Sequence, residues 1–172
     1  MRALQLDTPI IIYAGGQGWW GCSNQGYLRE FWEEAGTVGD ATSITLATMG
    51  DTASGINFSL VVGGSISGRV TEADGLAPIT NSSWGIPVCV AEYGTGFGYG
   101  CVNAAPDGTY VFGALPTGSF RVDTSAEHHV GEVFNNIPFY SDWGLATPIM
   151  VTVGANTPDI NFALDPSGSI TG

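Results

Sequence analysis

Ile56-Asn57-Phe58-Ser59-Leu60-Val61-Val62-Gly63-Gly64-Ser65-Ile66-Ser67-Gly68 returns 104 residues later as Ile160-Asn161-Phe162-Ala163-Leu164-Asp165-Pro166-Ser167-Gly168-Ser169-Ile170-Thr171-Gly172, with eight of thirteen positions identical. The likeness extends upstream, where Ala41-Thr42-Ser43-Ile44 matches Ala146-Thr147-Pro148-Ile149 with one residue of slippage before Gly50 and Gly154. An ordered match of this length marks an internal repeat. Its period is too long for one turn of a solenoid and has the size of an independent β-domain.

The phase of the repeat divides the chain. Gly-Ser-Ile-Ser-Gly opens a unit at Gly64, and Gly-Ser-Ile-Thr-Gly does so again at Gly168. Residues 1–63 are therefore expected to be the closing part of a preceding β-sandwich repeat, 64–165 a complete unit, and 166–172 the opening strand of a following one. The complete unit reads as strand throughout. Ser65 to Thr71 alternates with period two. Glu72-Ala73-Asp74-Gly75 and Pro106-Asp107-Gly108 are turns. Ile86 to Tyr93 and Phe97 to Val102 flank Gly94-Thr95-Gly96, the spacing of a three-residue hairpin loop. Further strands follow at 109–112, 119–123, 149–153 and 159–164. Turn signals at this frequency predict an antiparallel β-sandwich.

Composition agrees and excludes several classes. The 172 residues are 44% hydrophobic, enough for a packed core, and include 26 glycines, which disfavour long helices. Sixteen acids face four bases (Arg2, Arg29, Arg69 and Arg121), for a net charge of −12 and no lysine. Such a surface repels nucleic acid and anionic membranes. No apolar run reaches the ~20 residues of a membrane span. The short run Ile10-Ile11-Ile12-Tyr13 after Asp7 reads as a strand rather than a signal peptide. A secreted precursor would need a signal that this stretch lacks, so the chain is expected to be a trimmed or excised piece of something longer.

Three segments of the complete unit, Gly64-Ser65-Ile66-Ser67-Gly68-Arg69-Val70, Asp107-Gly108-Thr109-Tyr110-Val111-Phe112 and Leu115-Pro116-Thr117-Gly118-Ser119-Phe120-Arg121-Val122, resemble the carboxypeptidase regulatory-like group. The resemblance covers roughly 64–164 and is echoed in 27–60. It implies a transthyretin-like (prealbumin-like) sandwich of about seven strands, similar to collagen-adhesin B-type repeats. Such modules serve as stalks, adhesin repeats, pilin-like units, or starch-binding and accessory modules beside enzymes. The pattern also has a direct physical reading. Gly108 supplies a positive φ at its turn. Leu115 plugs one end of the sandwich, and Phe120 and Val122 share one inward face.

This chain departs from the adhesin pattern in one respect. Without lysine it cannot form the Lys–Asn isopeptide crosslink common in such repeats, so covalent stiffening must come from cysteine. With Gly94-Thr95-Gly96 as the loop, Cys89 falls opposite Cys101, Ala91 opposite Tyr99 and Tyr93 opposite Phe97, which predicts a cross-strand Cys89–Cys101 disulfide. Cys22 is left unpaired, as a free thiol or an intermolecular bridge.

Catalytic signals are sparse. His128-His129 is the only histidine cluster, and neighbours on a strand point to opposite faces, so a solvated strand end is the preferred reading. There is no Gly-x-Ser-x-Gly elbow. Carboxylate pairs drawn from Glu30, Glu33, Glu34, Glu92 or Asp142 come easily by chance among sixteen acids. A small hydrolase is therefore the weakest reading. Asp74, Asp107 and Asp123 lie in or near turns that calcium could use, but none has the ligand density of a dedicated loop, and no metal or other cofactor is assigned. Aromatic residues are plentiful: Trp19-Trp20, Phe31-Trp32, Trp84, Tyr93, Phe97, Tyr99, Phe139-Tyr140 and Trp143. Core packing explains most of them. Tyr93, Phe97, Tyr99, Trp84 and Trp143 are the candidates for a sugar-stacking platform.

The expected function is a non-catalytic extracellular or cell-surface structural and adhesive module. Residues 1–63 cannot complete a sandwich alone, and Gly168, Ser169, Ile170, Thr171 and Gly172 mirror that deficit. Strand addition to a neighbour would join copies head-to-tail, and an unclosed head-to-tail contact grows a filament. A carbohydrate-binding module is the alternative.

Overall fold

The computed structural model describes residues 7–16, 26–80, 82–139 and 143–170. Cys22, Trp19, Trp20, Tyr140, Asp142, Thr171 and Gly172 lie outside the described residues.

The fold is all-β, with one short 3-10 turn among the described residues, at Trp143–Leu145. Its strands are β1 (Tyr13–Ala14), β2 (Glu30–Phe31), β3 (Gly64–Glu72), β4 (Pro87–Glu92), β5 (Gly98–Asn103), β6 (Thr109–Leu115), β7 (Gly118–Thr124), β8 (Glu132–Val133), β9 (Ile137–Pro138), β10 (Ile149–Val151), β11 (Asn156–Thr157) and β12 (Phe162–Leu164). Seven of those from β3 onward have three or more residues, and these are the strands that the alternating pattern predicts. The two-residue strands β8, β9 and β11 are too short to leave a periodic signal.

Two sheets enclose the core. One runs β5-β4-β7-β8-β9, with β10 also paired to β7; the other joins β6 and the β11/β12 segment to opposite sides of β3. Ile66 and Val70 of β3 meet Val88 and Val90 of β4, Phe112 and Leu115 of β6, and Phe120 and Val122 of β7. Each of these eight is at least 99% buried. Every residue of this core lies between Ile66 and Leu164.

The sandwich is not purely antiparallel. β11 and β12 run parallel to β3, pairing Asn156 and Thr157 with Ser65 and Ile66, and Phe162 to Leu164 with Val70 to Glu72. The cause is a crossover. After β10, in the first sheet, the chain crosses to the second and enters it in the same direction as β3. This close approach requires glycine in β3. A Cβ on Gly64 would collide with Val151 and the Thr152 carbonyl, and one on Gly68 with the Ile160 carbonyl.

Residues 7–16 and 26–63 form a thinner structure. β1 pairs with β2, Tyr27 bridges to Val62, and Ile10 bridges to Ile44. Among its described residues only Phe31 is a buried hydrophobic. The apolar residues Ile11, Tyr13, Val38, Val61 and Val62 remain exposed.

Candidate functional site

The β4–β5 hairpin carries both the disulfide and most of the aromatic candidates. Cys89 stands opposite Cys101 and is bonded to it. Closing a loop this short stabilises the fold by roughly 2–3 kcal/mol in the chain-entropy picture. The rest of the register differs from expectation. Ala91 pairs with Gly98, not Tyr99, because a bulge falls between Val90 and Ala91. The loop closes on Glu92 and Phe97, whose N–H and carbonyl meet at 2.8 Å, instead of on Tyr93 and Phe97. Gly100, at φ 116°, absorbs the extra residue, a conformation that L side chains rarely adopt.

The bulge re-aims Tyr99. Its ring packs edge-on against Phe120 in the core at 5.3 Å, and Phe97 packs edge-on against it at 5.7 Å. Burial, with the nearby Glu92 charge, raises the Tyr99 phenol above its usual range. Tyr93 is half-buried and donates its N–H to the Ser119 carbonyl. Only Phe97 of the three is well exposed, so the hairpin offers one ring and its edge partner rather than a flat three-ring platform.

Trp84 and Trp143 do not extend that surface. Trp84 is 88% exposed and precedes β4. The length of β4, roughly 17 Å at about 3.3 Å per residue, separates it from the Phe97 end. Trp143 caps the outer face of the first sheet. It lies 3.8 Å above the Arg121 guanidinium, is packed edge-on by Phe139, and donates its indole N–H to the Phe139 carbonyl. Arg121 and Asp123 point outward by alternation yet are buried, with Arg121 Nε and Asp123 Oδ1 3.6 Å apart. Burial raises the Asp123 carboxyl above its normal range, against the opposing pull of Arg121. Trp143 is thus a lid on a buried ion pair.

The acidic turns satisfy themselves. Asp74 accepts from the N–H groups of Leu76 and Ala77, and Asp107 accepts from the N–H and hydroxyl of Thr109. These bonds lower both carboxyls.

The histidines separate as their positions in sequence imply, with one correction. His128, at φ 64°, is exposed, but His129 is buried rather than solvated. Its Nδ1 lies 2.8 Å from the Glu127 carbonyl and its Nε2 lies 2.9 Å from Glu72 Oε2. Both partners are acceptors, so the arrangement suits a doubly protonated imidazolium and leaves no nitrogen for a metal or a nucleophile. Among the described residues no three His, Cys, Asp or Glu side chains are grouped to hold a metal ion.

Residues 168–170 are exposed, with Ile170 wholly in solvent. The tail is tethered just before them: Pro166 bridges His129, and Ser167 donates its N–H to the His128 carbonyl at 2.8 Å. The projecting portion therefore starts near Gly168.

Two features escaped the sequence reading. One is the broad groove of about 360 Å³ between residues 26 and 62–65 on one side and Val111, Gly113 and Ala114 on the other; no ionisable side chain lines it. The second is a smaller cleft of about 270 Å³ containing Glu132, Asn136 and Asp165. A carboxylate inside the apolar run Val130 to Phe134 is a local signal of an unusual position, but its pairing with Asp165 is a long-range fact.

Among the described residues no helix is long and apolar enough to cross a membrane. No family model matches the chain. No curated protein matches it. A solved structure that it resembles is titled a "putative carbohydrate binding protein from Bacteroides uniformis ATCC 8492". That match covers 59% of this chain and 41% of the other, at 14% identity and a TM-score of 0.39, and at that score it supports neither fold nor function here.

Proposed function

We propose that this chain is a non-catalytic, extracellular structural module whose copies join head-to-tail by strand addition. One observation carries the reading. Ile160, Phe162 and Leu164 are buried beside β3, while their counterparts Ile56, Phe58 and Leu60 are only half-buried and belong to no strand. What the second set lacks is a strand of the β3 kind. The tail from Gly168 repeats that strand, keeping glycine at the Gly64 and Gly68 positions, and its Ile170 is exposed where Ile66 is fully buried. In this reading the tail of one copy lies parallel to residues 56–60 of the next. The contact is heterologous and extends into a filament. The disulfide and the resemblance to adhesin-type repeats support an extracellular setting.

A second reading, glycan binding, draws on Trp84 and Phe97, two exposed rings too far apart for one sugar and better suited to separate contacts along a polymer. One set of experiments separates the two. Light scattering and electron microscopy of the wild type should show concentration-dependent growth that Ile170→Asp abolishes and that a peptide copying residues 64–72 inhibits. Absence of growth in the wild type would reject the structural reading. Titration with soluble polysaccharide, saturable in the wild type and lost in Trp84→Ala, would favour the second.

A further inference from the structure

Glu132 holds an unresolved electrostatic problem. It sits in β8, between Thr124 of β7 and Pro138 of β9. Only 8% of the residue is exposed, and its Oε2 is buried with no hydrogen-bond partner. An ionised carboxylate so placed is disfavoured unless a counter-charge reaches it.

Among the described residues no ion pair reaches Glu132. The chain has no lysine. Among the described residues Arg29 lies over the Tyr13 ring, Arg69 donates to the Asp107 carbonyl, and Arg121 is held between Asp123 and Trp143. His129 is committed to Glu72 and Glu127. The neighbour that does face Glu132 is another acid. The Asp165 carbonyl accepts the Val130 N–H, which brings Asp165 beside β8. Burial and the Asp165 charge both raise the Glu132 carboxyl.

Both acids line one cleft of about 270 Å³. Glu132 is its buried member, while the exposed Asp165 and Asn136 leave it open to solvent. We propose that Glu132 and Asp165, assisted by the side-chain oxygen of Asn136, bind a hard divalent cation, with Ca²⁺ the best-matched ion. The donors are all oxygen, with neither thiolate nor imidazole, which selects hard cations over zinc or copper. Two carboxylates and one amide leave coordination positions for backbone carbonyls and water. Ca²⁺ accepts such an irregular set of six to eight oxygens, whereas Mg²⁺ demands a near-ideal octahedron. The net charge of −12 raises the local concentration of any cation. The site differs from the turns at Asp74 and Asp107, whose carboxylates are taken by their own backbone.

Thermal unfolding of chelator-treated full-length protein, with and without 10 mM CaCl₂ at fixed ionic strength, tests the assignment. A site in the millimolar range typical of extracellular modules raises Tm by about 3–5 °C. Glu132→Gln keeps the shape and removes the buried charge. Without calcium it should melt at or above the wild-type temperature, and its calcium response should vanish; Asp165→Asn should weaken the response. The cooperative melt of each variant verifies its folding. No wild-type shift at 10 mM, or an equal shift in Glu132→Gln, would overturn the assignment, the latter by showing general screening of an acidic surface.

Discussion

Phe58 and Phe162 occupy the same place in two five-residue stretches that differ only at Ser59 and Ala163. Phe162 is 98% buried, packs edge-on against Phe134, and pairs with Val70 of β3. Phe58 is half-buried and lies in no strand. The neighbouring asparagines diverge similarly. Asn161 Oδ1 accepts the Arg69 N–H of β3 at 2.9 Å, while Asn57 turns back on the Gly55 carbonyl. The backbone is held too: the Ile160 N–H donates to the Ser67 carbonyl of β3, and its carbonyl accepts the Tyr110 hydroxyl of β6. Local sequence sets the alternation in both copies. The β3 strand converts it into burial in one of them.

The largest effect should come from cutting both phenylalanines to alanine. Phe162→Ala leaves a cavity in a closed core and should cost about 3–5 kcal/mol. Phe58→Ala should cost about 1 kcal/mol in dilute protein. Urea unfolding of each variant measures both. Equal costs would break the comparison by revealing a second core around Phe58.

A pair of glycines sharpens it. Gly64→Ala forces a methyl into Val151 and the Thr152 carbonyl, and should destabilise by about 1–3 kcal/mol. The equivalent Gly168 has open space around its missing Cβ, so Gly168→Ala should lie within about 0.5 kcal/mol of wild type when dilute. If the tail docks as β3 does, the same substitution should impair growth of the assembly by light scattering. A stable, fully assembling Gly168→Ala would show that the tail does not take the β3 position.

Much of this architecture was legible because its signals are local. Period-two alternation marked the seven longer strands, Gly-containing pairs marked the turns, and spacing placed Cys89 opposite Cys101. What failed were contacts made between distant segments. The parallel approach of β11 and β12 depends on a crossover between sheets. The burial of Arg121 and Asp123 depends on a tryptophan twenty residues away, where alternation alone assigns them to solvent. The aromatic hairpin was misread by one residue: a bulge at Tyr99 and Gly100 turned an expected surface ring into part of the core wall. The Glu132 cleft was invisible because Asp165 lies 33 positions further along the chain.

The smallest effect concerns the end of the buried copy. Leu164 pairs with Glu72, and Glu72 holds His129, whose neighbour in the bridge is Pro166. The contact clamps β12 just before the tail. Residues 7–63 contain no histidine and so no counterpart. Burial tends to lower the His129 pKa, but the Glu72 hydrogen bond, the Glu127 carbonyl and the Glu72 charge outweigh it, and the net direction is upward. The sign follows from linkage. A group whose pKa is higher in the folded state contributes fully below its unfolded value, near 6.5, and loses that contribution as pH rises through the folded value. Wild type should therefore exceed His129→Gln in stability by more at pH 6 than at pH 9. The difference should stay under about 1 kcal/mol, since Glu72 is partly exposed. Comparing both proteins at each pH cancels the background of titrating carboxylates. A gap that stays constant with pH would mean that His129 holds the strand end as a neutral hydrogen-bonding ring, and the clamp would then be steric rather than ionic.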